Sequence, residues 1–319
     1  MIAPPSHTPL DTMTQHLPVL LNEVLEGLLT DPSGTYVDAT FGRGGHSRAM
    51  LERLGEDARL VGMDRDPEAI TAGQRLQASD PRFSIRHGRF SGLTEVLDAS
   101  QCKAGVQGVL MDIGVSSPQL DDAGRGFSFN AEGPLDMRMD CTQGQTAANW
   151  LNTAKAEDIA RVLYVHGEER RARRIAAAIV EARPLETTLE LAELVERCVP
   201  RGRHPSRKHP ATKTFQAIRI FINDEDVELQ QGLEAAFESL AIGGRLAVIS
   251  FHSLEDRTVK HTFRSLCRPP ALPRHIPIPE PLQAVSARPV GGVIRASEAE
   301  LNRNPRSRSA VLRIIERLP

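Results

Sequence analysis

A parallel, doubly wound α/β sheet carrying an inserted all-helical domain is the fold this sequence predicts, and three observations predict it. Short apolar runs alternate with helical patterns from Thr35 to Asp112. The next convincing strand begins only at Arg245, more than 130 residues later. The chain between them reads as helix with little strand signal.

Taken in order, Met1 to Leu17 lacks the basic start and apolar stretch of a secretory signal, and residues 1–15 are expected to form a flexible tail. An amphipathic pattern opens at Leu17. Thr35 to Ala39 is a short strand-like run, then come a glycine-rich turn and a helical pattern over Ser47–Leu54. Leu60 to Asp64 is a second strand, followed by a helix that Pro67 starts and that runs through Leu76. Phe83–Arg86 and Val106–Asp112 are the third and fourth strands; alternation with helices implies parallel pairing.

Ala147–Leu151, Glu157–Tyr164, Glu168–Ala182 and Leu189–Val199 then read as helices. They place an inserted helical domain at 134–209, expected to recognise the substrate, between two parts of the sheet domain, 16–133 and 210–319. The chain returns through helices at Thr212–Ile222 and Glu225–Leu240, with Gly243-Gly244 as the stop, and the fifth strand is Arg245–Ser250. Arg268 to Ser297 holds seven prolines and is expected to be mostly loop; Ser309–Glu316 supplies a final strand.

Composition narrows the function. Apolar residues at 40% and charged ones at 25% are the ordinary mixture of a globular chain, and no apolar run is long enough for a membrane helix. The four cysteines form no C-x-x-C pair, so neither a zinc site nor a disulfide framework is supported and a reducing cytoplasm is expected. Net charge is −2, which excludes a polycation, yet Arg201 to Arg219 carries six Lys/Arg and two His without a carboxylate. That stretch reads either as a phosphate-contacting surface or as a solvated loop. Aromatics at 4% argue against a base-stacking platform.

The chemistry concentrates at strand ends. Asp38 to Ser47 (DATFGRGGHS) puts glycines at a strand-to-helix turn, where backbone N–H groups and a ligand approach closely. Asp64 ends the second strand, where a carboxylate accepts both hydroxyls of a ribose. A dinucleotide loop would be G-x-G-x-x-G, but the third position here is Ser47, and D-x-x-x-G-x-G suits S-adenosylmethionine, whose amino and sulfonium groups are cationic. The missing glycine also counts against a nicotinamide-dependent oxidoreductase. Asp112 to Asp122 (DIGVSSPQLDD) follows the fourth strand, so Asp112 should face the cofactor or its acceptor.

HLPVLLNEVL (His16–Leu25), VDATFGRGGHS (Val37–Ser47), MDRDPEAI (Met63–Ile70), HGRF (His87–Phe90), MDIGVSSPQLDD-x-x-RGFSF (Met111–Phe129), GPLDMRMD (Gly133–Asp140), YVHGEER (Tyr164–Arg170), HPATKTFQAIRI (His209–Ile220), GGRLAVISFHSLEDR (Gly243–Arg257) and NPRSRSAVLR (Asn304–Arg313) run in order along the chain. They strongly resemble the bacterial ribosomal RNA small subunit methyltransferase H family, also called MraW. The resemblance implies a Rossmann-like class I methyltransferase with an inserted helical domain. It further implies S-adenosylmethionine-dependent N4-methylation of a cytosine in the decoding region of 16S ribosomal RNA, with that RNA or the assembling small subunit as partner, no membrane, no metal, and a homodimer left open. By family pattern the cofactor contacts fall on Gly44, Gly45, His46, Asp64, Phe90, Asp112 and Gln119.

Asp112, with Ser116 or Ser117, is expected to receive the amino group, where related enzymes carry an Asp/Asn-Pro-Pro-Tyr turn. His252 stands past the fifth strand as an orienting group, a proton acceptor or a structural histidine. Asp136, Arg138 and Asp140 read equally as a salt-bridge cluster or a substrate contact. Arg207, Lys208, Lys213, Arg306 and Arg308 are the candidates for RNA phosphate contacts.

Overall fold

The structure is a computed structural model that describes residues 18–100, 105–199, 209–269 and 284–319. Helix α1 (Leu21–Leu28) leads into β1 (Thr35–Asp38), α2 (Gly45–Arg53), β2 (Arg59–Asp64), α3 (Pro67–Ser79), β3 (Phe83–His87), α4 (Leu93–Ala99) and β4 (Val106–Asp112). Short α5 (Ser117–Asp121) precedes α6 (Ala147–Thr153), α7 (Ala156–Gly167), α8 (Ala172–Glu181), α9 (Thr188–Cys198), α10 (Thr212–Ile222) and α11 (Glu225–Glu238). The chain closes with β5 (Leu240–Ser250), α12 (Ser253–Leu266), β6 (Ala287–Pro289), β7 (Ile294–Arg295), α13 (Glu298–Arg303) and β8 (Val311–Arg317). None of the described helices is long and apolar enough to cross a membrane.

The sheet runs β3-β2-β1-β4-β5-β8-β6, parallel from β3 to β5, with β8 antiparallel to β5. Side chains alternate across it, so Leu110 packs with α1–α3 while its neighbours Val109 and Met111 pack with α4, α11 and α12. With both faces covered, the strands must be apolar throughout, which is why they read as short continuous runs.

Register sets the site. Asp38, the last residue of β1, pairs with Gly62 and Leu110. Strands β2 and β4 therefore continue two residues past it, roughly 6–7 Å at strand spacing, and carry Asp64 and Asp112 beyond the shorter central strand. The chain leaving β1 crosses that gap: Ala39 N–H donates to the Leu110 carbonyl and Phe41 N–H to that of Met63, both at 2.9 Å.

A separate apolar cluster underlies the helical layer and runs from Phe127 to Ile218, taking in Met137, Trp150, Leu163, Ile175 and Phe215. It crosses the boundary expected at His209, because α10 turns its apolar face onto α7 instead of the sheet. Two further expectations are corrected. The helix expected over Glu168–Ala182 begins at Ala172, since Glu168 takes φ 48° and ends α7. Gly243-Gly244 stops no helix: α11 ends at Glu238, and the glycines lie inside β5, in a bulge where the register against β4 shifts.

Two polar ties join the layers. Asn223, buried after α10, accepts from Met139 N–H at 2.8 Å and donates to the Met137 carbonyl at 2.7 Å, while its own carbonyl takes Arg65 at 2.9 Å. Arg125 bridges Asp66 and the Met139 carbonyl, each at 2.9 Å. Asn223→Ala leaves a buried N–H and a buried carbonyl without these partners, so it should cost about 2–4 kcal/mol in urea unfolding. A loss below about 0.5 kcal/mol would contradict that role.

Candidate active site

The glycine turn is built for close approach. Gly42 and Gly44 sit at φ 55° and 77°, and a Cβ on Gly44 would lie 2.6 Å from the Phe41 ring. Gly45, the first residue of α2, faces Pro18 so closely that a Cβ would stand 2.6 Å from its ring, which brings the segment before α1 down over the turn. Beneath it, Asp38 is fully buried and accepts from Ser47 Oγ at 2.6 Å and Thr40 N–H at 3.3 Å. Burial pushes its pKa up to about 6, against the pull of those two donors.

Asp64 lies across the turn. Its two carboxylate oxygens accept one backbone N–H each, from Gly42 at 2.7 Å and Asp66 at 2.9 Å, and each keeps a further lone pair. Burial, with the charges of Asp66 and Asp38, raises its pKa to about 6 despite the two N–H groups. Asp66, which sequence reasoning missed, caps α3 and takes Gln119 at 2.8 Å and Arg125 at 2.9 Å. Its signal was available: an Asp before Pro67 is a helix N-cap.

Asp112 completes the row. Its N–H donates to Thr40 Oγ1 at 2.6 Å, its Oδ2 stands 3.8 Å from His46 Nδ1, and its buried Oδ1 has no hydrogen-bond partner among the described residues. Burial raises its pKa to about 6, opposed by His46 and reinforced by Asp38 and Glu255. His46 is buried with Nε2 3.0 Å from the Val19 carbonyl. A carbonyl only accepts, so Nε2 carries hydrogen and Nδ1 faces Asp112 with a lone pair, or with a proton when the ring is charged.

The loop beyond Asp112 is held by its own caps. Ser116 and Gln119 form a capping box at the start of α5: Gln119 Oε1 accepts Ser116 N–H at 2.9 Å while its Nε2 donates to Asp66. Gln119 thus ties the β4 loop to the start of α3, with one N–H left for a ligand. Ser117 opens α5, half-buried. His252 is the N-cap of α12: Nδ1 accepts Glu255 N–H at 3.3 Å and Nε2 faces Glu255 Oε1 at 2.9 Å.

Glu255 and Arg219 were also missed by sequence reasoning. Glu255 is buried, accepts Phe251 N–H at 2.8 Å and stands 3.7 Å from Arg219, which itself grips Glu225 through two 2.7 Å bonds. Burial disfavours the Glu255 charge, yet His252, Arg219 and Phe251 together hold its pKa below the usual range. A Cβ on Gly114, at φ 116°, would lie 3.9 Å from Glu255 Oε1, so this network abuts the turn after β4. Phe90 is half-buried against α11, whose Gly232 leaves room for the ring: a Cβ there would meet it at 2.3 Å.

The structure therefore brings Gly44, His46, Asp64, Asp112 and Gln119 into one connected set. The RNA candidates separate. Arg207 and Lys208 lie outside the described residues. Lys213 Nζ donates to the Glu168 carbonyl at 3.0 Å, Arg306 pairs with Asp121 at 2.6 Å, and Arg308 is exposed. Arg138 holds Asp136 through two 2.7 Å bonds, and Asp140 caps a turn through Thr142 and Gln143, so these residues brace the segment that Asn223 grips.

A sequence profile of the MraW methylase family matches residues 13–318. The chain belongs to the MraW methylase family. Among its relatives, "Ribosomal RNA small subunit methyltransferase H" of Alcanivorax borkumensis is 55% identical over 97% of this chain and 98% of its own. The proteins of that name from Idiomarina loihiensis and Coxiella burnetii are 54% and 52% identical, over 96% of this chain and 98% and 100% of theirs. An rRNA methylase structure from Streptococcus thermophilus is similar over 94% of both chains at 10% identity, with a TM-score of 0.40 too low to add to the fold seen in this MraW methylase.

The crowding at Gly44 has a measurable consequence. Gly144 has nearly the same φ, 76°, with open space around it. Gly44→Ala and Gly144→Ala share the left-handed backbone cost of about 1–2 kcal/mol, but only the first drives a methyl into Phe41. Gly44→Ala should lose about 1–3 kcal/mol more in urea unfolding; equal losses would contradict the tight turn.

Proposed function

We propose that this methylase transfers a methyl group from S-adenosylmethionine to the N4 amino group of a cytosine in the decoding region of 16S ribosomal RNA, in the cytoplasm. The observation that carries the reading is the buried, unpartnered Asp112 Oδ1 at the end of β4, beside the glycine turn and Asp64. The names of the relatives favour the RNA substrate. The helical layer is then the substrate-recognition part and the sheet the cofactor part.

The site residues fit that cofactor. Asp64 has a lone pair free on each oxygen for the ribose hydroxyls, the Gly44-Gly45 turn stands beside it for the methionine portion, and Phe90 offers a wall for the adenine. Three carboxylates suit a ligand carrying an ammonium and a sulfonium. Bound S-adenosylmethionine supplies a methyl group already activated on sulfur.

The residues of the chain must align the acceptor nitrogen, keep water out and take a proton away. The cytosine amino nitrogen gains a bond to the methyl carbon and loses one proton. An ionised Asp112 Oδ1 is an acceptor only, so it holds an amino N–H and receives that proton, with His46 steadying the charge. His252 and Glu255 fix the turn around Gly114 and with it the entry for the base.

Labelled methyl transfer to small ribosomal subunits from cells lacking this protein, followed by nucleoside analysis, tests the reaction. The expected product is N4-methylcytidine at one decoding-region position; cofactor binding without any such product overturns the substrate. Asp112→Asn keeps the shape but removes the charge, and should lower turnover by about 100-fold or more with helical content unchanged. Near-normal turnover would sink the role of Asp112. Since burial pushes the Asp112 carboxyl up to about 6 in the free enzyme and Asp112 acts ionised, kcat/KM should climb as pH rises through about 6 and level off above it, and a flat kcat/KM profile from pH 5 to 8 would contradict this.

A further inference from the structure

We propose that the exposed arginine cluster at the start of α8, with Tyr164 six residues before it in the chain, is a docking surface for the phosphate backbone of the RNA substrate; the proposal rests on the RNA reading above. Arg170, Arg171, Arg173 and Arg174 are all exposed, and among the described residues none of their guanidinium groups makes an ion pair or hydrogen bond. Other exposed arginines nearby are paired, Arg161 with Asp158 at 2.9 Å and Arg257 with Glu168 at 3.2 Å.

Their place on the helix works against them. A helix N-terminus carries partial positive charge and favours acidic side chains, yet the first turn of α8 has no acidic residue and is flanked and filled by these four cations. Within the chain the buried Glu169 carboxylate accepts the Arg171 N–H at 2.9 Å and answers that backbone donor, while the four guanidinium groups are left for an external anion. Guanidinium groups match phosphate oxygens in pairs. Because the whole chain has a net charge of −2, this is a local field and not a general basicity.

Tyr164, 67% exposed in the last turn of α7, stands just before the break that leads to the arginines. An exposed tyrosine ring next to phosphate-binding groups gives an unpaired base a face to stack on, which an acidic protein would not use. The break before the patch is tied to the helix that follows β5. Glu168, which opens the break, gives its carbonyl to Lys213 and its carboxylate to Arg257, and Arg257 is five residues along α12 from His252.

The test is a salt series of binding to a transcript of the decoding-region segment, with wild type, Arg170→Glu/Arg173→Glu, Tyr164→Ala and Tyr164→Phe, alongside S-adenosylmethionine affinity and thermal unfolding. Each lost phosphate contact flattens the log–log salt slope by about 0.7–0.9, so the double variant should bind at least about 10-fold more weakly with a slope shallower by about 1.4–1.8. Its cofactor affinity should be unchanged, and its unfolding temperature equal or higher, because glutamates suit that helix end. Tyr164→Ala should weaken RNA binding and Tyr164→Phe should restore it.

Unchanged RNA affinity and slope in the double variant would overturn the surface. Weakened binding to small subunits with intact affinity for bare RNA would overturn it too, in favour of a protein partner. If wild type neither binds the transcript nor methylates subunits, the RNA reading itself fails and the surface falls with it.

Discussion

The burial of three carboxylates at the ends of adjacent parallel strands is the constraint on which this molecule turns. The sheet cannot avoid it: β1 stops two residues short of its neighbours, so Asp64 and Asp112 project past it on either side while Asp38 lies between and below. Like charges crowded in a poorly solvated place disfavour one another, and all three are held near pKa 6. The backbone N–H groups of Thr40, Gly42 and Asp66, the Ser47 hydroxyl and His46 supply partial compensation. What they leave over is an acceptor oxygen on Asp112 and an unfilled demand for positive charge.

The rest of the structure is arranged around keeping that cluster closed and in register. The segment before α1 lies over the glycine turn, with Pro18 against Gly45 and the Val19 carbonyl on His46, and α13 holds it through Glu300 at Leu20 N–H. On the other side, Asp66, Gln119 and Arg125 join α3, the loop after β4 and the helical layer. The network of Glu255, His252 and Arg219 braces the turn at Gly114. A substitution in any of these ties therefore reaches the site through the loop it positions.

The strands and the carboxylates at their tips were legible because buried parallel strands are short apolar runs whose ends carry the ligand groups. The break in strand rhythm after Asp112 marked the helical layer. Its limit was not legible, since the apolar face of α10 reads the same whether it meets the sheet or α7. Gly243-Gly244 misled because glycine marks both a helix stop and a strand bulge. Glu255, Arg219 and Asn223 gave no local signal, for their roles depend on partners up to 158 residues away in the chain. The functions of Ser116 and His252 as caps follow from position at a helix start, which competes with a chemical role in any reading of residue types alone.

Calorimetric titration of S-adenosylmethionine at pH 6, in two buffers of different ionisation enthalpy, tests the central claim most directly. With three carboxylates poised near pKa 6, a cationic ligand favours their ionised forms and must displace protons. The account predicts a net release on the order of one proton per bound ligand, fading as pH rises above about 7. Binding with no proton release at pH 6 would mean that the carboxylates are already ionised or do not face the ligand, and would contradict the account.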